Sequence, residues 1–328
     1  MEVNNFWQKL NKPVLVLAPM ADVTDAPFRH IINKYGKPDV FFTEFTSADG
    51  LCHPTGREKL MRELYFTLEQ KPIVAQLFSS NPDKMREACK LVASLGFDGI
   101  DINMGCPDKT IEKQGCGSAM IKNPKLAKEI IIAAKEGAGT LPVSVKTRVG
   151  YNKVELEEWT KALLGAEPAA ITFHWRTRKE MSKVPAQWDL ARIPVEMAKG
   201  TGTLIFGNGD VADVADAKMK AEKYGLDGIM LGRAIYGNPW LFSEYTPTVE
   251  EKLKVLVEHT ELFEKMFRLG PTNDELFKGH TKSFAIMKKH FKAYVEGFSG
   301  AQDLRSKLME TESASEVRQI VEDFTSYQ

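Results

Sequence analysis

Between Val14 and Leu231 the chain repeats one pattern: short runs of apolar, β-branched and aromatic residues, separated by longer stretches that mix polar and apolar residues at helical spacing. Eight runs stand out: Val14 to Ala18, Val40 to Phe45, Ile73 to Leu77, Gly99 to Asn103, Val143 to Arg148, Ala169 to His174, Thr203 to Phe206 and Gly228 to Leu231. Each is short enough to be a buried strand. The intervening stretches read as helices, most clearly at Ala26 to Tyr35, Pro82 to Leu95 and Pro124 to Lys135. The last two open on proline at a first-turn position, behind Asn81 and Asn123, whose side chains suit an N-cap. The helices after the second and sixth runs are the hardest to delimit. Strand and helix in alternation predict a parallel sheet. Eight strands over about 240 residues match a (β/α)8 TIM barrel, whereas a doubly wound sheet needs fewer strands and an early glycine-rich fingerprint.

After Pro239 the pattern changes. From Val249 onward only amphipathic segments appear, such as Glu250 to Leu269, Gly279 to Tyr294 and Ala314 to Phe324. Pro247 and Thr248, followed by Glu250 and Glu251, mark a helix start. The expected organisation is therefore an α/β chain with a barrel over residues 1–245 and a smaller all-helical domain over 246–328.

Composition adds bounds. The 328 residues are 43% hydrophobic and 27% charged, as in a soluble globular protein, and the length suits one large domain plus one small one. Lysine and arginine number 44 against 44 acidic residues, so net charge points to no partner and a nucleic-acid surface must come from local segregation. Cys52, Cys89, Cys106 and Cys116 are too few and scattered for a disulfide framework, which fits a reducing, cytoplasmic setting. The polar start and the short apolar run after it do not read as a targeting or membrane segment.

In a parallel barrel, function gathers at the carboxyl ends of the strands. Here the seventh run leads into Gly207-Asn208-Gly209-Asp210 and the eighth into Gly232-Arg233, where backbone N–H groups and a guanidinium can hold a phosphate; two glycine-rich turns that merely close a barrel are the competing reading. Alternation points Lys146 into the barrel end, where an ammonium needs an anionic partner, either a ligand or an inward acid. Gln76 and His174, near the ends of the third and sixth runs, can hydrogen-bond a ring edge, a phosphate or a carbonyl, or be satisfied internally. Cys106 sits on the turn Gly105-Cys106-Pro107 just past the fourth strand, a poor place for packing, where a protonated thiol can donate a proton. No histidine or third cysteine lies near it and Cys116, so no metal is expected.

The motifs in order are Leu17-Ala18-Pro19-Met20-Ala21-Asp22-Val23-Thr24-Asp25-Ala26-Pro27-Phe28-Arg29, Asp101-Ile102-Asn103-Met104-Gly105-Cys106-Pro107, Val145-Lys146-Thr147-Arg148 with Gly150, His174 with Arg176-Thr177-Arg178, Gly207-Asn208-Gly209-Asp210, Gly232-Arg233 and Gly237-Asn238-Pro239-Trp240. Over nearly the whole chain this resembles the tRNA-dihydrouridine synthases. The resemblance implies FMN across the barrel mouth, held by Pro19, Met20 and Ala21, by Gln76 and Lys146 at the ring, and by His174, Asn208, Gly209, Asp210, Gly232 and Arg233 towards the phosphate. It implies reduction of specific tRNA uridines to 5,6-dihydrouridine with NADPH or NADH as reductant, hydride going to C6 and a proton to C5 from Cys106. Asn103 is a candidate for orienting the uracil.

The implied partner is tRNA, with neither membrane nor metal, and a monomer is expected. A target uridine must leave its stack, and the C-terminal region can supply the grip. Lys278, Lys282, Lys288, Lys289, Lys292, Arg305 and Lys307 outnumber Glu296 and Asp303 there, while Phe284, Phe291 and Tyr294 read as core. Lys288, Lys289, Lys292 and Arg178 are the candidate RNA contacts. Two departures from the family pattern, Trp175 after His174 and Lys183 to Trp188 in place of a tyrosine- and glycine-rich stretch, bear on how that loop meets RNA. Cys116 reads as a packed thiol. Two rival readings remain: an FMN barrel oxidoreductase of a small pyrimidine or another small molecule, and a non-catalytic RNA-binding protein on the same scaffold.

Overall fold

The computed structural model of the protein describes residues 5–267 and 282–326. Eight parallel strands are present: β1 (Val14–Leu17), β2 (Phe41–Ser47), β3 (Ile73–Phe78), β4 (Gly99–Met104), β5 (Val143–Arg148), β6 (Ala170–His174), β7 (Leu204–Asn208) and β8 (Gly228–Leu231). They lie in the order β1-β8-β7-β6-β5-β4-β3-β2. A parallel bridge between Val16 and Val40, with the Leu17 N–H donating to the Val40 carbonyl at 3.1 Å, joins the two ends and closes the barrel. Each strand lies within two residues of its sequence-predicted ends.

The helices around the barrel are α1 (Ala26–Tyr35), α2 (Ala48–Leu51), α3 (Pro54–Leu60), α4 (Pro82–Ser94), α5 (Lys109–Lys113), α6 (Pro124–Ala138), α7 (Leu156–Leu164), α8 (Arg192–Met197) and α9 (Val214–Tyr224). Asn81 accepts from the N–H groups of Asp83 and Lys84 at 3.0 and 3.2 Å, and Asn123 from that of Leu126 at 3.2 Å, so both expected caps form. The two regions that resisted delimitation hold short pieces. After β2 the chain breaks into α2 and α3, and after β6 a 3-10 turn at Trp188–Ala191 leads into the six-residue α8.

From Val249 the described residues form helices: α10 (Val249–Phe267), α11 (Met287–Tyr294), α12 (Ala301–Leu308) and α13 (Ala314–Ser326). A capping box opens α10: the Thr248 N–H donates to Glu251 Oε2 at 2.7 Å and the Glu251 N–H to Thr248 Oγ1 at 3.2 Å. Residues 279–281 of the amphipathic segment expected up to Tyr294 lie outside the described residues, as does Lys278. Glu258 of α10 joins α1 through Lys34 Nζ and Tyr35 Oη, each at 2.6 Å, and the Phe28 ring meets those of His259 and His290 at 4.9 and 4.7 Å between centroids.

Period-two alternation builds the barrel interior in layers. At the amino ends Val14, Val16, Phe42, Val74, Leu204 and Phe206 pack round Trp7 in an apolar plug. One layer up, Gln76, Asp101 and Ser144 are register neighbours, then Asn103, Lys146 and Thr172, and last Arg148, His174 and Asn208. The interior thus turns from apolar to polar towards the carboxyl ends, where the site lies.

Candidate active site at the carboxyl ends of the strands

A cavity of about 700 Å³ opens at this end of the barrel, walled by Pro19 and Met20 after β1, Lys146 and Arg148 of β5, His174 and Arg176 at β6, and the turns after β7 and β8. Four cationic side chains (Lys146, Arg148, Arg176 and Arg233) line it against one carboxylate, Asp210. Such an excess in a partly enclosed space favours an anionic ligand.

Lys146 is the most constrained of the four. Among the described residues its one hydrogen-bond partner is Asn208 Oδ1, at 3.4 Å. The inward acid that would make a structural ion pair, Asp101, is occupied one layer below by Ser144 Oγ at 2.6 Å and Gln76 Nε2 at 2.8 Å. Burial, with Arg148 adding repulsion, lowers the Lys146 ammonium to about 8, and burial raises Asp101 to about 6. Among the described residues the ammonium therefore makes no direct ion pair, and Asp101 supports its charge only from the layer below.

At the β7 and β8 ends, Asp210 organises the arginines. Its Oδ2 accepts from Arg176 Nη2 and from the Ala186 N–H, and its Oδ1 from Arg233 Nη2 at 2.6 Å. Despite partial burial, these bonds hold its carboxyl below the usual range, so it stays ionised and orients both guanidinium groups. His174 Nε2 lies 3.1 Å from Arg176 Nη1, which can only donate, so the ring proton sits on Nδ1. Burial and the surrounding cations lower His174 well below its ordinary value and keep it neutral. Gly209 has φ +120°, and a Cβ there would come within 2.9 Å of His174 Cδ2, so glycine keeps this corner open.

Cys106 sits beside the cavity wall, next to Pro107, on a turn bound at both edges. Asn103 Oδ1 accepts from the N–H groups of Gly105 and Cys106 at 3.1 and 2.9 Å, and Arg148 Nε donates to the Gly105 carbonyl at 2.8 Å. Burial pushes the Cys106 thiol above its ordinary value, which keeps it protonated at neutral pH.

Other sequence candidates lie apart from the wall. Ala21 is exposed beside it. Gln76 is fully buried one layer lower, donating to Asp101 and accepting from Asn103 Nδ2 at 3.0 Å, so it holds Asn103 in place. Asn103 in turn spends its carbonyl oxygen on the cysteine turn. Arg178 is bound by Glu112, with Nε 2.9 Å from each carboxylate oxygen. Of the basic residues in the tail, Lys289 and Lys292 are exposed and Lys288 half-buried, whereas Lys282 is inside, paired with Glu44. Phe291 and Tyr294 are fully buried and Phe284 nearly so, as expected of core residues.

The family model for dihydrouridine synthases matches residues 16–328. This chain belongs to that family. It is accordingly an oxidoreductase. Among relatives, a probable tRNA-dihydrouridine synthase 2 of Bacillus subtilis (strain 168) is 43% identical over 327 residues, covering 98% of this chain and 96% of the relative. A probable tRNA-dihydrouridine synthase of Staphylococcus aureus (strain MRSA252) is 42% identical over 325 residues, covering 98% and 95%. Among solved structures, a 2-naphthoyl-CoA reductase complex shares the barrel fold with a TM-score of 0.50 at 14% identity, covering 73% of this chain and 52% of that one.

Within this dihydrouridine synthase, two charged wall residues were quoted in the sequence motifs but not singled out: Arg148 and Arg176. Alternation carries the signal, since Arg148 is two residues beyond Lys146 and Arg176 two beyond His174. The Trp175 departure proves internal. Trp175 is fully buried, its ring centroid 5.6 Å from Phe173 and 5.9 Å from Trp188, and Trp188 Nε1 donates to the Gly209 carbonyl at 2.9 Å. Cys116 is buried as well. Among the described residues no three metal-ligating side chains come together, and no helix is long and apolar enough to cross a membrane.

Proposed function

We propose that this dihydrouridine synthase reduces uridines of tRNA to 5,6-dihydrouridine, with FMN in the mouth cavity and NADPH or NADH as reductant. The observation that carries the reading is the cation excess of the cavity beside a protonated cysteine: a buried ammonium with no direct ion pair among the described residues and two guanidinium groups held by Asp210 fit a phosphorylated, electron-rich cofactor. The names of the bacterial relatives supply the tRNA substrate.

When bound, FMN supplies the hydride that reaches C6 of the uracil ring, after reduction by NAD(P)H. The chain's own residues do the rest. Lys146 offers a positive charge at the ring end, and Arg176, Arg233 and the glycine turns at Gly209 and Gly232 take the phosphate, with the neutral His174 donating from Nδ1 and Asn208 positioning Lys146. Pro19, Met20 and Ala21 border the cofactor, and Gln76 acts through Asn103. Cys106 Sγ gives its proton to C5, so one hydride and one proton saturate the C5–C6 bond, and solvent reprotonates the thiolate. The helical region from residue 246 is the tRNA-binding domain, following a catalytic barrel that ends at residue 245. Lys288, Lys289 and Lys292 are its phosphate contacts.

The test is dihydrouridine content in tRNA from cells lacking this protein. Loss at defined positions, restored by the wild type and not by Cys106→Ala, is the expected result. Unchanged tRNA in cells with no other synthase sends the activity to a small pyrimidine.

A further inference from the structure

The turn bearing Cys106 is tied to the loop after β6 by a second strap that the chemistry above does not use. Glu112 of α5 accepts from Arg178, and its Oε1 also lies 3.0 Å from Ser118 Oγ. The Ser118 N–H donates to the Cys106 carbonyl at 2.9 Å, and Ser118 Oγ lies 2.9 Å from the same oxygen. One hydroxyl proton thus faces two acceptors. The carboxylate is the stronger, so Oγ–H goes to Glu112 while the backbone N–H keeps the Cys106 carbonyl.

The strap has little slack. A Cβ on Gly117, where φ is +60°, would come within 2.6 Å of the Cys106 carbonyl oxygen, so the segment after α5 lies directly against the cysteine backbone. The Glu112 side chain is 9% exposed against 24% for Arg178. Burial pushes Glu112 upward, but bonds from Arg178, Tyr151 and Ser118 hold it below the usual carboxylate range, so it is ionised. At the far end, Arg178 also lies over the Tyr151 ring at 5.5 Å, and its N–H donates to the Gly150 carbonyl at 2.9 Å. Arg178, a candidate RNA contact in the sequence, is paired with Glu112 and keeps part of its side chain exposed.

We propose that Glu112 is a positioning residue for the Cys106 acid: through Arg178 and Ser118 it holds the cysteine turn and the β6 loop in one geometry relative to the uridine. This rests on the function proposed above. A turn that drifts by a fraction of an ångström moves Sγ relative to C5, and proton transfer is steep in that distance. Glu112 does not line the cavity and its side chain is nearly buried, so the protonation step, and not binding, should respond.

The experiment uses full-length enzyme with FMN and compares wild type, Glu112→Ala, Glu112→Gln, Arg178→Ala and Glu112→Ala/Arg178→Ala. Single-turnover uridine reduction, KM for tRNA, flavin reduction by NADPH and iodoacetamide labelling of Cys106 against pH, read by mass spectrometry, are measured on each. Expected for Glu112→Ala is a single-turnover rate lower by roughly 10- to 100-fold, with KM and flavin reduction within about twofold. The labelling profile of Cys106 shifts, Glu112→Gln recovers part of the rate, and the double variant is no slower than Glu112→Ala alone. Normal flavin reduction in the same samples shows that the variants fold. Glu112→Ala with unchanged rate and labelling overturns the proposal, as does a raised KM confined to Arg178→Ala. If the wild type forms no dihydrouridine, the functional reading fails separately, and the labelling profile alone still decides whether the strap sets the thiol.

Discussion

Lys282 Nζ lies 2.8 Å from Glu44 Oε2 and 3.0 Å from Oε1, in a pair whose side chains are 4% and 6% exposed. The same carboxylate accepts the Asp22 N–H at 2.6 Å, two residues from the cavity residue Met20. One glutamate thus binds the C-terminal helical region to the β1 loop. Lys282→Ala leaves Glu44 buried without its cation, and a loss of about 3–5 kcal/mol is expected in denaturant unfolding. Lys282→Met with Glu44→Leu should recover much of it, and an unchanged midpoint in the single variant would contradict the burial of this pair.

Lys146 predicts the opposite sign. Its ammonium is lowered to about 8, because burial and Arg148 outweigh the support of Asp101, so it destabilises the ligand-free fold wherever it is charged. The folded state binds the proton less tightly than the unfolded chain, so apoprotein stability should rise as pH rises from about 8 towards the ordinary lysine value. Lys146→Met should leave the apoprotein at least as stable at pH 7 while weakening FMN binding roughly 10- to 100-fold. In the wild type, FMN affinity should fall above about pH 8, where the free amine is neutral, and that fall should vanish in the variant. Calorimetry and FMN titration read both.

His259 and His290 are fully buried between α1, α10 and α11, their ring centroids 4.6 Å apart, and among the described residues none of their ring nitrogens has a hydrogen-bond partner. Burial lowers both, His290 to about 3, with Lys289 adding repulsion there. Each is neutral when folded and titrates near its ordinary value when unfolded, so stability is intact above about pH 6.5 and declines below it, by up to ~1.4 kcal/mol per pH unit for each histidine. His290→Leu should flatten the decline between pH 6 and 4 in thermal melts. Equal slopes in variant and wild type would place the acid sensitivity elsewhere.

Charge reversal of Lys288, Lys289 and Lys292 should weaken tRNA binding and make the affinity less sensitive to salt, by about one unit of slope for each phosphate that is no longer neutralised. Flavin content should not change, because none of the three lines the cavity. Equal affinity at low and moderate salt would remove these lysines from the RNA surface.

Much of the site was legible because strand alternation fixes which side chains face the barrel. Lys146 was read as a mouth residue from that parity, His174 and Asn208 from their places at the ends of the sixth and seventh runs, and the cavity wall contains all three. The same parity held Arg148, which shares a register row with His174. What alternation could not give is who binds whom. Gln76 and Asn103 read as amides facing a ligand, and their partners in the structure include Asp101 for Gln76 and the cysteine turn for Asn103.

The sequence by itself determined the eight strands, the caps at Asn81, Asn123 and Thr248, and the family motifs, because these are set by neighbours a few residues apart. Tertiary structure alone decided the fate of the charges. Lys282 meets Glu44 across 238 positions and Arg178 meets Glu112 across 66, so a lysine that reads as surface becomes a buried joint and an arginine at the β6 loop is tied to the segment after the cysteine turn. The physical reason is that a charge takes the nearest partner in space, and in a closed barrel that partner is set by which loops the closure brings together.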